Sequence, residues 1–405
     1  VTDGLGLFDN SRGQERHDED DYDDEPRQPR RKKRRSPTFW VIAVVVVALI
    51  AGGAWYGVTQ ILGFGGFDDY SGSGEGDVVV EVKAGNGTAD IGAALKEKDV
   101  VASGRAFTSA GEDVKAVKAI QPGFYLLKTK MSGKAAVDRI TNKESRVGQL
   151  QIKAGTRLDD IKLPDNKVVA GVLSQISTAG TVTIDGKKTG PTVEDLLKVV
   201  ETADLGQLGV PQWAAPFAMK AEPKRRLEGL ISPGVYNVQP GQTAEDLLKK
   251  VLTDSASMLD GWGMPKLAEK SGYTPYQVLI MGSLVEHEGI DKDFGKIARV
   301  VYRRLETNDR LRFDSTVNYL LDAPIVTTDS NARATQSPYN TYVVGGLPPT
   351  PISATSESAL KAAAAPEPGT WLYFVKCQKD GTSCFADTLP QHEANRDTAR
   401  ANGAF

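Results

Sequence analysis

Residues 39–58, from Phe39 to Val58, contain no charged side chain. A helix of 20 residues is about 30 Å long, the thickness of a bilayer's hydrocarbon core. Such a stretch must be buried in protein or in lipid, and its flanks favour lipid. Trp40, Trp55 and Tyr56 stand near its ends, where amphipathic rings suit the membrane interface. A basic run from Arg30 to Arg35 precedes it, and basic residues are retained on the cytoplasmic side. The apolar run is too long for a signal peptide, and no small-residue cleavage site follows it. The expected arrangement is an uncleaved single-pass membrane anchor at 39–58. Residues 1–38 then form a cytoplasmic tail, and everything after residue 60 lies outside the cell membrane.

The net charge of −3 conceals a sharp division. Residues 18–25 are nearly all Asp and Glu, whereas residues 27–35 are mostly Arg and Lys. Blocks of this kind stay solvated and disordered. Because the basic block adjoins the apolar run, the anchor accounts for it better than a nucleic-acid partner does.

Residues 59–77 are rich in Gly, Ser and Asp and read as an exterior linker. A β-rich run, Val78-Val-Val-Glu-Val82, then begins. Val82-Lys-Ala-Gly85 is followed, six residues past its glycine, by Ile91. Ile152-Lys-Ala-Gly155 is followed at the same offset by Ile161, and Val238-Gln-Pro-Gly241 by Leu247. Each reads as a strand, a glycine turn and a short amphipathic helix entered through Thr or Asp. Pro122-Gly-Phe-Tyr125 and Pro233-Gly-Val-Tyr236 also echo each other. Unequal spacing excludes a solenoid, and such entry signals also recur in α+β proteins without any repeated module. From about residue 255 the pattern turns helical, with helices expected at 275–288, 292–306 and 356–365 and strands at 342–345 and 371–376. Pro338, Pro348, Pro349 and Pro351 make the intervening stretch an irregular loop. The expected fold class is α+β, with modules at 78–145 and 146–254 ahead of a domain at 255–405.

Leu279-Ile-Met-Gly-Ser-Leu-Val-Glu286-His-Glu288 places a carboxylate at the end of an almost wholly apolar run. Upstream, Thr274 reads as an N-cap, Pro275 as the first helical residue and Gln277 as the closing member of a capping box. Gly289 supplies the stop. Glu286 then ends a buried helix, where poor solvation and the negative end of the helix dipole favour a protonated carboxyl group, the form a general acid needs. It stacks over Leu279, Gly282 and Ser283, whose small side chains leave room for a ligand. A solvated helix terminus is the plain alternative, and Glu288, on a different face, is the rival acid.

Other chemistries find little support. The histidines are His17, His287 and His392, and no pair has metal-ligand spacing; neither a metal nor a cofactor is expected. Ser358-Ala-Leu-Lys361 and Lys188-Thr-Gly190 match penicillin-binding motifs in reversed order. Cys377 and Cys384 flank a turn signal, Asp380-Gly381, and opposite positions of a short hairpin could bring them within disulfide range. Two unconnected buried thiols are the alternative.

Six blocks then follow in order: Ser283-Leu-Val-Glu-His-Glu288, Val300-Val-Tyr-Arg-Arg-Leu305, Leu311-Arg-Phe-Asp-Ser-Thr-Val-Asn-Tyr319, Ser337-Pro-Tyr-Asn-Thr-Tyr342, Gly346-Leu-Pro-Pro-Thr-Pro-Ile352 and Leu372-Tyr-Phe-Val375. The set resembles the YceG-like endolytic murein transglycosylases over roughly residues 78–405, most sharply from 274 to 375. The resemblance implies a membrane-anchored enzyme that cuts nascent peptidoglycan glycan strands, with Glu286 at the position of the family's catalytic glutamate and cell-wall synthases as partners. It implies a lytic route in which one carboxylate protonates the bridge between MurNAc and GlcNAc and then accepts the proton of the MurNAc C6 hydroxyl. The strand–helix modules resemble the family's LysM-like glycan-binding units. Asp314 is the expected supporting polar group, or else a helix N-cap. Together with Thr316 and the run Tyr339, Asn340, Thr341 and Tyr342, it forms the expected glycan-contacting set, although the same side chains could serve only to fix their loop. The chain departs from the family pattern at Arg303, where Asn is usual, at Thr350, where Gly is usual, at Ala354-Thr355-Ser356, where Asn-Pro-Gly is common, and at Ser383, in place of His. A non-catalytic glycan-binding scaffold is the alternative function.

Overall fold

The structure is a computed structural model that describes residues 66–404, except 164 and 322–328. The tail, the expected anchor at 39–58 and the first part of the linker, 59–65, lie outside the described residues. No helix among the described residues is long and apolar enough to cross a membrane.

The first unit is β–α–α–β. Strand β1 (Asp77–Val82) pairs antiparallel with β2 (Gly123–Lys128), and β2 with the short β3 (Arg146–Val147). Helices α1 (Thr88–Glu97) and α2 (Gly104–Gly111) connect β1 to β2, and α3 (Gly133–Ile140) follows. Val80, Val82, Ile91, Leu95, Phe107 and Leu127 build its separate core.

The second unit uses the same plan with insertions. Strand β4 (Gln149–Ile152) pairs antiparallel with β9 (Gly234–Asn237). Between them run the hairpin β5–β6 (Ile161–Lys162 and Val168–Val169), α4 (Val172–Ala179), the hairpin β7–β8 (Val182–Ile184 and Lys187–Thr189), α5 (Val193–Thr202) and the one-turn α6 (Ala215–Ala218). The register explains the sequence echoes. Val82 pairs with Gly123 in the first unit, and Ile152 pairs with Gly234 in the second. In each unit, therefore, the end of the Lys-Ala-Gly strand faces the start of the Pro-Gly-x-Tyr strand. Gly85 and Gly155 both take positive φ, +83° and +76°, a region glycine enters without a Cβ penalty. The turns close alike, through the Asn86 N–H to the Lys83 carbonyl and the Thr156 N–H to the Lys153 carbonyl. Tyr125 and Tyr236 each donate a hydroxyl hydrogen bond of 2.6 Å to the carbonyl four residues back. The likeness stops at Ile161, which lies in β5 and not in a helix. The third echo does lead into a helix, α7 (Ala244–Gly261), capped by Thr243.

The boundary expected at 254–255 falls inside α7. Leu247, Leu248, Val251, Leu252 and Leu259 of that helix share one continuous core with residues from Leu150 to Ala364, so residues 146–254 and 255–405 fold around common apolar contents. Three helices complete this core: α8 (Pro275–Glu288), α9 (Phe294–Glu306) and, beyond the shorter α10 (Asp314–Asn318) and α11 (Ser330–Ala334), α12 (Glu357–Ala364). The strand expected at 342–345 is absent. The Asn340 carbonyl accepts from the N–H groups of Val343 and Val344 and closes a turn there. At the end, β10 (Tyr373–Lys376) and β11 (Ser383–Ala386) form a hairpin before α13 (Leu389–Ala401). Cys377 and Cys384 form a disulfide with Cα atoms 5.6 Å apart. Cys384 faces Val375, so the two cysteines are diagonal rather than directly opposite.

The repeated tyrosine bond provides a test of the second unit. Tyr236→Phe should destabilise the protein by about 1 kcal/mol, because a buried carbonyl loses its donor. Urea unfolding checks this, and an unchanged midpoint would contradict it.

Candidate active site

Helix α8 starts as its sequence specifies. Thr274 Oγ1 accepts from the Gln277 N–H at 3.2 Å, Gln277 Oε1 accepts from the Thr274 N–H at 2.9 Å, and Pro275 takes a position that needs no donor. Tyr276 and every residue from Val278 to Val285 are buried, the pattern of a helix enclosed on all sides. Glu286, His287 and Glu288 follow, each half-buried. Gly289 ends the helix in an extended conformation, φ −151°, rather than in a left-handed turn. A Cβ there would lie 2.2 Å from Ile297 Cδ1, so a larger residue would require that buried side-chain end to move.

The room expected beside Gly282 and Ser283 is filled by the chain itself. Residues 350–356 form a strap across α8. A Cβ on Gly282 would meet Thr355 Cγ2 at 2.7 Å. Ser283 Oγ accepts from the Ile352 N–H at 3.0 Å while donating to the Ile280 carbonyl at 2.7 Å. The turn after β4 holds the strap from another side. The Gly155 N–H donates to the Ala354 carbonyl, and the Ala354 N–H donates to the Thr156 carbonyl, both at 2.8 Å. The strap ends at Ser356, the N-cap of α12, whose Oγ accepts from the Ala359 N–H. Ser356 donates twice to Glu286 Oε2, from its N–H at 3.0 Å and its hydroxyl at 2.5 Å. No donor among the described residues is bonded to Oε1. The carboxylate is thus held through one oxygen at the positive end of a helix.

A second polar group lies beyond Glu288. Ser315 Oγ donates to Glu288 Oε1 at 2.5 Å, and burial holds the Glu288 carboxyl above its ordinary range, against the Ser315 hydrogen bond and the charge of Lys376. Asp314 is not an N-cap. It accepts from Arg333 at 3.2 and 3.0 Å and from the Tyr342 hydroxyl at 2.7 Å. His287 is pushed down to about 4 by burial and by the charges of Arg157 and Lys376, so near neutral pH it is an uncharged imidazole.

The other expected glycan contacts are placed differently. Thr316, Asn340 and Thr341 are 0 % exposed and Tyr339 is 4 % exposed. Thr316 and Thr341 bond to each other at 2.9 Å, and Thr341 also accepts from the Phe313 N–H. Asn340 donates to the Arg333 and Thr335 carbonyls, and Tyr339 meets Thr350 at 3.0 Å. These four therefore fix the loop from behind, and of the set only Asp314 and Tyr342 remain half-buried at the surface. Two of the departures from the family pattern are absorbed in the same manner: Thr350 partners Tyr339, and Arg303 pairs with Glu306 at 2.9 Å. At Ser383 only the backbone N–H is paired, to Asp293, and the buried hydroxyls of Ser383 and Thr355 have no partner among the described residues.

Residues 80–398 match the YceG-like family. The chain belongs to that family. An endolytic murein transglycosylase of Bacillus subtilis is 26% identical over 325 residues, covering 79% of this chain and 84% of that protein. An endolytic murein transglycosylase of Streptococcus pneumoniae is 25% identical over 364 residues, covering 87% of this chain; the match spans 63% of the pneumococcal protein's length. The crystal structure of a yceG-like protein from Listeria monocytogenes aligns with a TM-score of 0.51 at 25% identity, covering 78% of this chain and 98% of the other.

One residue of this YceG-like chain that sequence reasoning missed is Glu228. It is 3 % exposed. Its carboxylate accepts from the Leu158 N–H at 3.0 and 3.2 Å and from the Tyr319 hydroxyl at 3.0 Å. The available signal was an acid within the apolar run Leu227 to Ile231, the same signal that marks Glu286. Burial pushes Glu228 up to about 7, against its hydrogen bonds from Tyr319 and Leu158 and the charge of Arg157. Between the ordinary 4.5 and about 7 the folded protein keeps a proton that the unfolded chain has released, so stability falls as pH rises through that window. The loss should be about 3 kcal/mol at 1.36 kcal/mol per pH unit. Denaturant unfolding at both ends of the window should show that Glu228→Gln removes this contribution; an identical pH dependence in the variant would contradict it.

Proposed function

We propose that this chain is a membrane-anchored endolytic lytic transglycosylase of peptidoglycan, with Glu286 carrying the proton. The observation that carries the reading is the clamp on Glu286, which fixes Oε2 and leaves Oε1 without a protein donor among the described residues. The names of the Bacillus and Streptococcus relatives support the reaction class.

Glu286 Oε1 gives its proton to the glycosidic oxygen as the bond from that oxygen to MurNAc C1 breaks. The same oxygen then takes the proton of the MurNAc C6 hydroxyl, whose oxygen attacks C1 and closes a 1,6-anhydro ring. The proton taken replaces the proton given, and no water is consumed. An internal nucleophile has a high effective concentration, so the second carboxylate of ordinary glycosidases is dispensable. Asp314, Tyr342 and Arg333 form the polar rim along which the glycan lies, and the loop built on Thr316, Tyr339, Asn340 and Thr341 sets that rim in place. The β–α–α–β unit serves as the LysM-like glycan-binding module. The uncharged run 39–58 anchors the protein in the cell membrane with its N-terminus in the cytoplasm, and the Cys377–Cys384 disulfide suits the oxidising exterior. That location places the enzyme beside the cell-wall synthases that make its substrate.

A second reading assigns the acid to Glu288, because burial favours its protonated form. Digestion of un-crosslinked glycan strands separates the two. Glu286→Gln should cut the formation of anhydro-MurNAc ends by at least about 100-fold while the fold persists, whereas Glu288→Gln should keep activity within about tenfold. The reverse ranking would transfer the role to Glu288. If the wild-type protein yields no new ends, the chain is a glycan-binding scaffold. Deleting residues 39–58 should move the protein from salt-washed membranes to the soluble fraction; retention on membranes would sink the anchor.

A further inference from the structure

We infer that Glu228 is a positioning residue for Glu286, acting through the strap; the inference rests on Glu286 being the proton carrier. Glu228 sits where three segments that converge on the end of α8 meet. Its side chain holds the Leu158 N–H, and two residues of the same turn, Gly155 and Thr156, hold Ala354 of the strap. Its neighbour Gly229, φ +70°, presses on the strap directly: a Cβ there would lie 2.3 Å from Pro351 Cβ and 2.9 Å from the Ser353 carbonyl oxygen. Its third contact, Tyr319, immediately follows α10, which carries Ser315, the partner of Glu288. The route is therefore short. It runs from the Glu228 carboxylate along the turn to Ala354, then two residues onward to Ser356, whose two donors orient Glu286.

The chemistry of the joint calls for an acceptor. An ionised carboxylate accepts from Leu158 and Tyr319 together. A neutral carboxyl or an amide carries hydrogen at one of its two positions, so it cannot offer both positions as acceptors to Leu158 and Tyr319, and the joint loosens. The charged and titratable groups facing Glu228 are Arg157 and Asp159 from the turn, Tyr319 from the end of α10, Tyr276 from α8, and Tyr339 from the loop. Arg225 stands 4.7 Å from the centre of the Tyr319 ring and 5.6 Å from that of Tyr339. None of these approaches Glu286 through a contact of its own among the described hydrogen bonds.

The test uses the full chain in detergent on un-crosslinked glycan strands. Glu228→Gln should lower kcat on the order of tenfold with KM within about twofold, the mark of a misplaced catalytic group. The ratio of wild-type to variant kcat should grow as pH rises through about 7, because below that point the wild type also carries a neutral group. Combined with Ser356→Ala, the two losses should be less than multiplicative, since both act on the same carboxylate. A flat ratio, or losses that multiply, overturns the inference. If Glu228→Gln does not fold, Tyr319→Phe removes one donor to the same carboxylate and carries the test. A several-fold loss of kcat that is less than multiplicative with Ser356→Ala supports the inference, and a multiplicative one overturns it. Failure of the Glu286 reading is distinguishable, because Glu286→Gln would then stay active.

Discussion

A carboxylate at the end of a fully enclosed helix is tolerable only if something polar meets it, and here a strap of the chain brings the donors. Burial of Glu286 without partners would be costly. Ser356 supplies its N–H and its hydroxyl to a single oxygen. The strap can do so because it is tied to Ser283 one turn earlier on α8 and to the turn after β4. Gly282 and Ser283 are small so that the strap can lie close, and that closeness sets where the carboxylate stands. The site is thus an outcome of backbone packing before it is one of side-chain chemistry.

The turn that holds the strap belongs to the second copy of a β–α–α–β plan. In the first copy the corresponding turn has Lys83, Ala84 and Gly85 exposed, and a Cβ on Gly85 would meet no atom within 4 Å among the described residues. In the second copy the turn around Gly155 is built into the common core and pairs with Ala354. One local structure therefore serves two ends. The first unit keeps its own core and an exposed turn, whereas the second has lost its separateness to α7, which crosses the expected boundary and buries its leucines against the elements on both sides.

The loop between α10 and the strap shows how polar residues can shape a site without touching its contents. Thr316, Thr341, Asn340 and Tyr339 saturate one another and nearby carbonyls, as buried polar groups must. What they leave at the surface is the Asp314, Arg333 and Tyr342 group. Glu228 performs a comparable task deeper in, joining the turn to the end of α10.

Much of this was written locally. The capping box of α8, the limits of α8, α9 and α12, the hairpin that carries the disulfide and the standing of Glu286 at a helix end all follow from residues close in sequence, because caps, turns and helical periodicity are short-range effects. The tertiary structure alone determined what those residues meet. That the space beside Gly282 holds a strap and not a ligand, that Thr341 and Asn340 face inward, that α7 joins two expected domains, and that Glu228 spans segments separated by 70 and 91 residues are all facts of long-range contact. A sequence announces that a polar group is costly to bury; only the folded chain reveals which distant donor makes that burial possible.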